Sequence, residues 1–583
     1  MKEFRDYFDK KAIFNKLAKL RISKSKFFKE QNWNNEITNL SYNKEPNEFL
    51  KELYLVTPPR KIWNKHRIKR QTVKEKKLSP RKVMEISIEN AIREYYETSN
   101  ADWKQRLDNL IEEMNSIIEQ PNDCCFENPT TNKLVKKRKK GIPIKYRPIT
   151  QYSLKESIII SQLNEYFTDL FDKKNANFDY ISFAFRNIKK FNKGGYNDKI
   201  CKRPNNSDAF YEIYKYVYKN KNNSIYVAEC DLKKYFDTIC HKLILKLFDK
   251  KVSKLKSENS NYDEKSRVLL KAYLNSFSFP HNALCNGNFE WIEYNNLKEV
   301  YPNYDSTIPR LGIPQGGALS GFLANLILDE ADKEIGELMK KDKNLFYVRY
   351  CDDMVICHDN EKECRLAFEK YSKKLQALKL FPHNIDENFP SDYRTKKNQN
   401  KFWNCKSKVY RFDEIEHEGF PWLSFVGYQI NKQAKVRIRP SSIKKQLDKM
   451  NFEYNNFRKL SSNNSQSNVL IKQESKKKLL KKFESKLIAM SVGKAPRSKN
   501  YELCWVKGFD LLLFLPENIN DNPFLVNQLK KLDAQREFYI KRTKDLVNKI
   551  DLKFDKKKRK SSQRKNIQSS DLQKSYFWQF DRK

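Results

Sequence analysis

The chain has 583 residues, with 116 Lys and Arg against 73 Asp and Glu, a formal net charge of +43 and a sequence pI near 9.6. This charge predicts a polyanionic partner whose binding weakens with salt. No apolar run approaches the ~20 residues of a membrane span. The eleven cysteines are scattered and no apolar leader is present, so we expect a cytoplasmic protein without membrane contact. The length predicts about three or four domains.

The chain up to about residue 130 is predicted to be helical. Apolar residues recur at helical spacing in two stretches, Phe4, Tyr7, Phe8, Phe14 and Leu17 in the first, and Val83, Ile86, Ala91 and Tyr95 in the second. Between them, the segment Arg60–Arg70 places cations around Trp63. This pattern suits contact with an RNA backbone and one stacking ring, and the alternative is a basic solvated loop.

In the middle of the chain, a buried strand is predicted from Tyr226, and Asp231 stands at its end, where a turn begins. From about residue 250, the polarity of Ser257–Tyr262 predicts a surface excursion that returns near Pro309–Gly312. The loop Leu311–Gly321 is rich in glycine, which allows the backbone to approach a ligand closely. A helix is predicted after it, with one apolar face formed by Leu323, Leu326, Ile327 and Ala331.

Tyr350-Cys351-Asp352-Asp353 stands between two apolar flanks, Leu345–Val348 and Met354–Cys357. The pattern predicts a strand, a tight turn with two carboxylates, and a second strand. Taken alone, such a pair of aspartates also fits a solvated turn. Carboxylates between buried strands are costly unless a positive charge lies between them, and a hard divalent cation supplies that charge. Asp231 can reach the same cation from a neighbouring strand.

After Pro440 the sequence predicts a lysine-rich helical segment that is interrupted by the polar linker Ser461–Asn468. Phe524–Ile550 carries a heptad-like apolar stripe, which favours a helix packed on its neighbours; the alternative is a homo-oligomer formed through this helix. The basic run Lys556–Lys560 is typical of phosphate contact. The aromatic terminus Tyr576–Phe580 is predicted to dock on the protein.

These segments, in this order, resemble the motifs of the reverse transcriptase family in its group II intron-like form. The similar segments are Lys145–Ile149, Ser182–Arg186, Asp231 with Tyr235–Phe236, Ile313–Ser320, Tyr350–Asp353, Ser424–Ile430 and Val436–Ile443. The resemblance covers about residues 130 to 445 and is specific because every palm element is present. It implies an α+β right-hand polymerase fold, with fingers, a palm built on an antiparallel sheet, and a helical thumb. The expected domains are a helical basic extension (1–125), fingers and palm (126–440), and a thumb with a basic extension (441–583).

The resemblance also implies a role for individual residues. Two Mg²⁺ ions, for which Mn²⁺ can substitute, would be bridged by Asp231 and Asp352, with Asp353 in support and the Leu232 carbonyl as an extra ligand. The other expected contacts are with the nucleotide and the primer: Arg147 and Lys140 with the triphosphate, Gln315 and Gly316 in the nucleotide pocket, Phe236 under the sugar, and Cys351 at the primer end. For Phe236 the alternative is core packing, and for Cys351 it is a small packing residue.

The function expected from this resemblance is RNA-directed DNA polymerisation, in which dNTPs are added to a primer 3′-hydroxyl on an RNA template to give cDNA. The overall layout is similar to that of bacterial abortive-infection and defence-associated reverse transcriptases, so the setting we expect is antiphage defence with a cognate non-coding RNA. The alternatives are untemplated or protein-primed DNA synthesis by the same palm, and an intron maturase-like or scaffold protein that binds RNA.

Overall fold

A computed structural model describes most of the chain. The described residues are 2–37, 47–68, 72–73, 78, 80–98, 102–139, 142–172, 182–186, 189–192, 195–201, 206–257, 261–279, 310–385, 390, 392–413, 420–463, 473–490 and 522–562. Lys140, the greater part of the predicted excursion before Arg310 and the aromatic terminus Tyr576–Phe580 lie outside them.

The described residues form helices and antiparallel strands. The helices are α1 (Lys10–Ile37), α2 (Glu48–Leu55), α3 (Arg60–Lys65), α4 (Pro80–Thr98), α5 (Asp102–Glu119), α6 (Leu154–Asp172), α7 (Asn206–Lys219), α8 (Tyr235–Thr238), α9 (His241–Ser257), α10 (Glu264–Asn275), α11 (Ser320–Lys341), α12 (Glu361–Ala377), α13 (Lys396–Asn404), α14 (Pro440–Asn463), α15 (Gln473–Met490) and α16 (Pro523–Ser562), with 3-10 helices at Arg5–Phe8 and Pro121–Asp123. The strands are β1 (Thr130–Lys139), β2 (Ile142–Gln151), β3 (Lys189–Asn192), β4 (Gly195–Cys201), β5 (Tyr226–Cys230), β6 (Phe346–Tyr350), β7 (Asp353–His358), β8 (Lys408–Arg411), β9 (Leu423–Phe425), β10 (Tyr428–Ile430) and β11 (Val436–Ile438).

The chain divides into two compact units. The first comprises Met1–Ile13 and Arg106–Lys435, and the second Phe14–Gln105 and Val436–Lys583. Because the first unit combines helices with sheets whose paired strands are antiparallel, its class is α+β, as the sequence predicts.

A four-stranded sheet in the order β6-β7-β5-β8 forms the centre of the first unit, and its pairs are antiparallel. Helix α12 packs on β7, β5 and β8, and α11 packs on β6. Helix α12 begins where the Asn360 side chain accepts hydrogen bonds from the amides of Lys362 and Glu363. Its buried residues recur every three or four positions, which turns one apolar face toward the sheet. The packed sheet therefore holds the residues at the ends of its strands in fixed positions.

The predicted excursion after residue 250 begins differently in the structure. Helix α9 continues to Ser257, and α10 then buries Leu269, Leu270 and Tyr273. The described polar residues between α9 and α10, Ser257 and Asn261–Asp263, are exposed or half-buried, whereas the apolar face of α10 contributes to the core.

Apart from β11, the described elements of the second unit are helices. Helices α14 and α15 pack on α16, where the rings of Tyr454 and Tyr539 stack 4.9 Å apart. The predicted linker at 461–468 begins later than expected, because α14 continues to Asn463.

The two predicted N-terminal helical stretches are found, although the first is a 3-10 helix followed by α1 rather than one helix. No helix in the described ranges is long and apolar enough to cross a membrane.

Candidate active site

The carboxylate turn joins β6 to β7 as an antiparallel hairpin. Tyr350 pairs with Asp353, so Cys351 and Asp352 form the two-residue turn between them. Cys351 has a φ of +59°, the left-handed conformation that such a tight turn requires. Asp352 is half-buried and Asp353 is exposed. The hairpin predicted from the sequence is confirmed.

Asp231 stands at the same edge of the sheet as this turn. Strand β5 ends at Cys230, which pairs with Met354 of β7, so Asp231 follows the end of β5 beside the start of β7 at Asp353. Paired strands lie about 4.8 Å apart. The backbone therefore brings Asp231, Asp352 and Asp353 to neighbouring strand ends, as the sequence predicts.

Lys406 contacts Asp231 directly, and sequence reasoning missed it. Its Nζ lies 2.5 Å from Asp231 Oδ2. The backbone of Asp231 is fixed on both sides, because its N–H donates to Ser407 Oγ (3.3 Å) and its carbonyl accepts from His383 N–H (3.0 Å). Lys406 comes just before β8, the neighbour of β5 in the sheet. A separation of 175 residues leaves no local signal for this ion pair.

The charges at this edge suit a hard cation. Three carboxylates stand at the strand ends of this edge, and carboxylate oxygens are the ligands that Mg²⁺ prefers. The ammonium of Lys406 on Asp231 Oδ2 shows that a positive charge is accommodated at this carboxylate. In the described part of the chain, however, no three His, Cys, Asp or Glu side chains are grouped closely enough to hold a metal ion. The donor types therefore fit divalent cations, although the three side chains do not form a closed ligand set.

A buried arginine lies beneath the turn. Arg349 of β6 is fully buried, and its Nε and Nη2 donate to the two carboxylate oxygens of Asp332 at 2.7 and 2.5 Å. Its Nη1 donates to the carbonyl of Cys351 (2.7 Å) and to Asn325 Oδ1 (3.1 Å). Bidentate pairing with a carboxylate fixes the guanidinium plane. Arg349 thus fixes the carbonyl at the tip of the carboxylate turn.

The glycine-rich loop is bonded to the short helix α8. Ile313 N–H donates to the carbonyl of Phe236 (2.8 Å), and Gly312 N–H donates to that of Ile239 (2.7 Å). Gly312 has a φ of +81°, and a Cβ there would lie 2.6 Å from Phe279 Cβ, so the loop requires glycine at this position. The loop and α8 therefore form one local structure.

Gln315 is held by contacts at two places. Its side-chain Nε2 donates to Asp237 Oδ1 at 2.8 Å, and its carbonyl accepts from Thr150 N–H at 2.9 Å. Gly316 follows with a φ of +97° and is exposed. Thr150 belongs to β2, the strand that also contains Arg147. The structure thus brings Gln315 and Gly316 beside β2 and α8.

For the other predicted site residues, the structure shows the surroundings of Phe236, Cys351 and Leu232 and the backbone of Arg147. Phe236 is half-buried, and its ring meets that of Tyr235 edge-on at 5.5 Å. Burial raises the pKa of the Cys351 thiol far above its usual range, which fits a packing residue rather than a reactive thiol. Leu232 lies between two backbone hydrogen bonds, one to the Asp231 carbonyl and one from Lys233 N–H to the Phe381 carbonyl. The backbone of Arg147 is described but its side chain is not.

Comparison with protein families identifies the region that carries this site. Residues 135–382 match the family model described as reverse transcriptase (RNA-dependent DNA polymerase). Asp231, Asp352 and Asp353 all lie within that match. The chain therefore contains a reverse transcriptase domain. No curated protein matches the sequence.

Among solved structures, apo telomerase from Candida tropicalis is similar, with 12% identity and a TM-score of 0.34, over 95% of this chain and 88% of that chain. Telomerase from Candida albicans in complex with a TWJ fragment of telomeric RNA is similar at 11% identity and a TM-score of 0.30, over 77% of this chain. The alignment spans 65% of the Candida albicans chain.

Proposed function

We propose that the chain is an RNA-directed DNA polymerase that adds dNTPs to a primer 3′-hydroxyl. One observation carries the proposal: Asp231, Asp352 and Asp353 stand at one edge of an antiparallel sheet, inside the region that matches the reverse transcriptase model. Asp231, Asp352, Asp353 and the carbonyl of Leu232 would hold two Mg²⁺ ions. When bound, such ions activate the attacking hydroxyl and stabilise charge on the triphosphate.

The protein residues around the carboxylates have separate roles in this proposal. Arg147 and Lys140 would pair with the triphosphate, because cationic side chains match phosphate oxygens. Phe236 would lie under the sugar and exclude a 2′-hydroxyl, while Gln315 and Gly316 would form the neighbouring wall. Fingers and palm within 126–440, a helical thumb after 441 and a basic extension within 1–125 complete the proposed architecture.

The biological setting that we propose is bacterial antiphage defence in the cytoplasm, with a cognate non-coding RNA as template. The support is the layout of the sequence, in which the reverse transcriptase region has long basic flanks, and a net charge of +43 that favours nucleic acid. Untemplated or protein-primed synthesis, and a scaffold that binds RNA without polymerising, are the competing outcomes of the test below.

The test begins with protein purified from its native locus, from which any bound nucleic acid is sequenced. The preparation then receives labelled dNTPs and Mg²⁺, beside Asp352→Asn and the control Glu337→Gln. Glu337 is an exposed carboxylate on α11 that pairs with Lys340, so its loss should leave incorporation unchanged.

Copying of a co-purified RNA by the wild type and Glu337→Gln, with at least ~100-fold less product from Asp352→Asn, is the expected result. Homopolymer or protein-linked DNA without a matching RNA would favour untemplated synthesis. RNA binding without incorporation in any sample would favour the scaffold.

A further inference from the structure

Asp237 is a buried carboxylate beside the proposed nucleotide pocket. Only 6% of its surface is exposed, and its Oδ1 accepts the 2.8 Å hydrogen bond from Gln315 Nε2. Asp237 directly follows Phe236 in α8, so the Gln315 amide is bonded to the sequence neighbour of the residue proposed to contact the sugar. A hydrogen bond to a carboxylate is stronger than one between neutral groups.

The backbone of the loop does not depend on this side-chain contact. Gly312 and Ile313 donate to main-chain carbonyls of the α8 region, and the Gln315 carbonyl accepts from Thr150 N–H. Removal of the Asp237 carboxylate would therefore release the Gln315 amide while those backbone bonds remain. The contact of Asp237 with Gln315 thus controls the direction of one side chain.

We propose that Asp237 is a positioning residue for sugar selection, acting through Gln315. With its amide held by Asp237, Gln315 would form one wall of the pocket together with Phe236, the residue that precedes Asp237. An amide released from Asp237 would sample several rotamers, and the space beside the Phe236 ring would widen enough to admit a 2′-hydroxyl. This inference rests on the proposed polymerase function and deepens it.

The experiment compares dUTP with UTP, which differ only in the 2′-hydroxyl, on poly(rA) primed with oligo(dT). For each variant, the quantity measured is the ratio of kcat/KM for dUTP to that for UTP. We expect Asp237→Ala to lower this ratio roughly tenfold or more, the size expected for loss of a hydrogen bond to a charged group. Asp237→Asn keeps an oxygen acceptor for the Gln315 amide, so the ratio should fall less in this variant than in Asp237→Ala.

The variant Gln315→Ala tests whether Asp237 acts through Gln315. In a Gln315→Ala background, Asp237→Ala should produce no further change in the ratio, because the donor is already absent. An unchanged ratio in Asp237→Ala, or an equal drop with and without Gln315, would overturn the proposal. If Asp237→Ala does not fold, Asp237→Asn takes its place. A lower dUTP/UTP ratio in Asp237→Asn that is absent in the Gln315→Ala background would then support the proposal, and an unchanged ratio would overturn it.

A binding measurement separates failure of this inference from failure of the proposed function. The Kd values of dUTP and UTP are measured with Ca²⁺ and a primer that lacks its 3′-hydroxyl, so no incorporation is needed. Wild-type preference for dUTP that Asp237→Ala loses supports the inference, even if the wild type polymerises nothing. Preference retained in Asp237→Ala overturns the inference alone, and a wild type that neither binds nor incorporates nucleotides overturns both.

Discussion

Replacement of Arg349 by methionine should loosen the carboxylate hairpin. The substitution keeps most of the volume of the side chain but removes the guanidinium and its hydrogen bonds to Asp332, Asn325 and the Cys351 carbonyl. Asp332 is 2% exposed, so a carboxylate would remain buried without its cation. Breaking a buried ion pair in this way costs about 3–5 kcal/mol.

Hydrogen exchange of the β6 and β7 amides measures this loss directly, because it reports the free energy of local opening. A loss of about 3–5 kcal/mol makes local opening more frequent by roughly two to four orders of magnitude. We therefore expect the protected amides from Phe346 to His358 to exchange faster by that factor in Arg349→Met. The strands far from this sheet should change much less.

Two controls decide whether the effect arises from the buried charge. Arg365 is an exposed arginine that pairs with Glu361 one turn away, and Arg365→Met should cost less than about 1 kcal/mol. The double variant Arg349→Met with Asp332→Leu removes both buried charges and should recover much of the loss. A loss under about 1 kcal/mol in Arg349→Met, or no recovery in the double variant, would refute this reasoning.

Two further predictions concern the loop and its neighbour. Gly312→Ala should lower the free energy of unfolding by about 2–4 kcal/mol, because the added Cβ meets a left-handed φ and clashes with Phe279. In the control Gly427→Ala the φ is similar but the space around it is open, so the loss should be about 1 kcal/mol. Equal melting temperatures of the two variants would contradict this prediction. Burial lowers the pKa of His241 to about 4 by removing the ring from water, and the hydrogen bond from its Nε2 to the Gly312 carbonyl only partly opposes this shift. Its Nδ1 is buried with no partner among the described residues. Between pH 6.5 and about 4 the unfolded state binds more protons, so the free energy of unfolding should fall by about 3 kcal/mol as pH is lowered. His241→Gln should remove that part of the slope, and an identical pH dependence in the variant would show that His241 is not its source.

The elements of the site that are local in sequence were predictable. A turn of two residues between apolar strands, and an aspartate at the end of a buried strand, are defined by side-chain alternation over fewer than a dozen positions. The β5, β6 and β7 register then follows, because a shift by one residue would turn every buried side chain to the other face. For that reason Asp231, Asp352 and Asp353 reach one edge as predicted.

The partners of these residues were not predictable from the sequence. In the sequence, Arg349 is one charged residue within a predicted strand and Asp332 one within a predicted helix. Only the packing of α11 on β6 makes them a buried ion pair. The contact between Lys406 and Asp231 likewise depends on β8 lying beside β5. Composition alone also did not show that α10, a helix with a buried face, follows the polar residues near Ser257.

The buried polar network explains how exposed carboxylates can be held in place. Asn325 donates to the Ala184 carbonyl (2.5 Å) and accepts from Arg349, whose own carbonyl accepts from Phe183 N–H (3.0 Å). The segment before β3, helix α11 and the turn after β6 are therefore joined by hydrogen bonds beneath the surface. These hydrogen bonds are made by groups other than the carboxylates of Asp352, which is half-buried, and Asp353, which is exposed. A site that must gain and lose cations and nucleotides requires this division, since carboxylates that supported the fold themselves would be unavailable to a ligand.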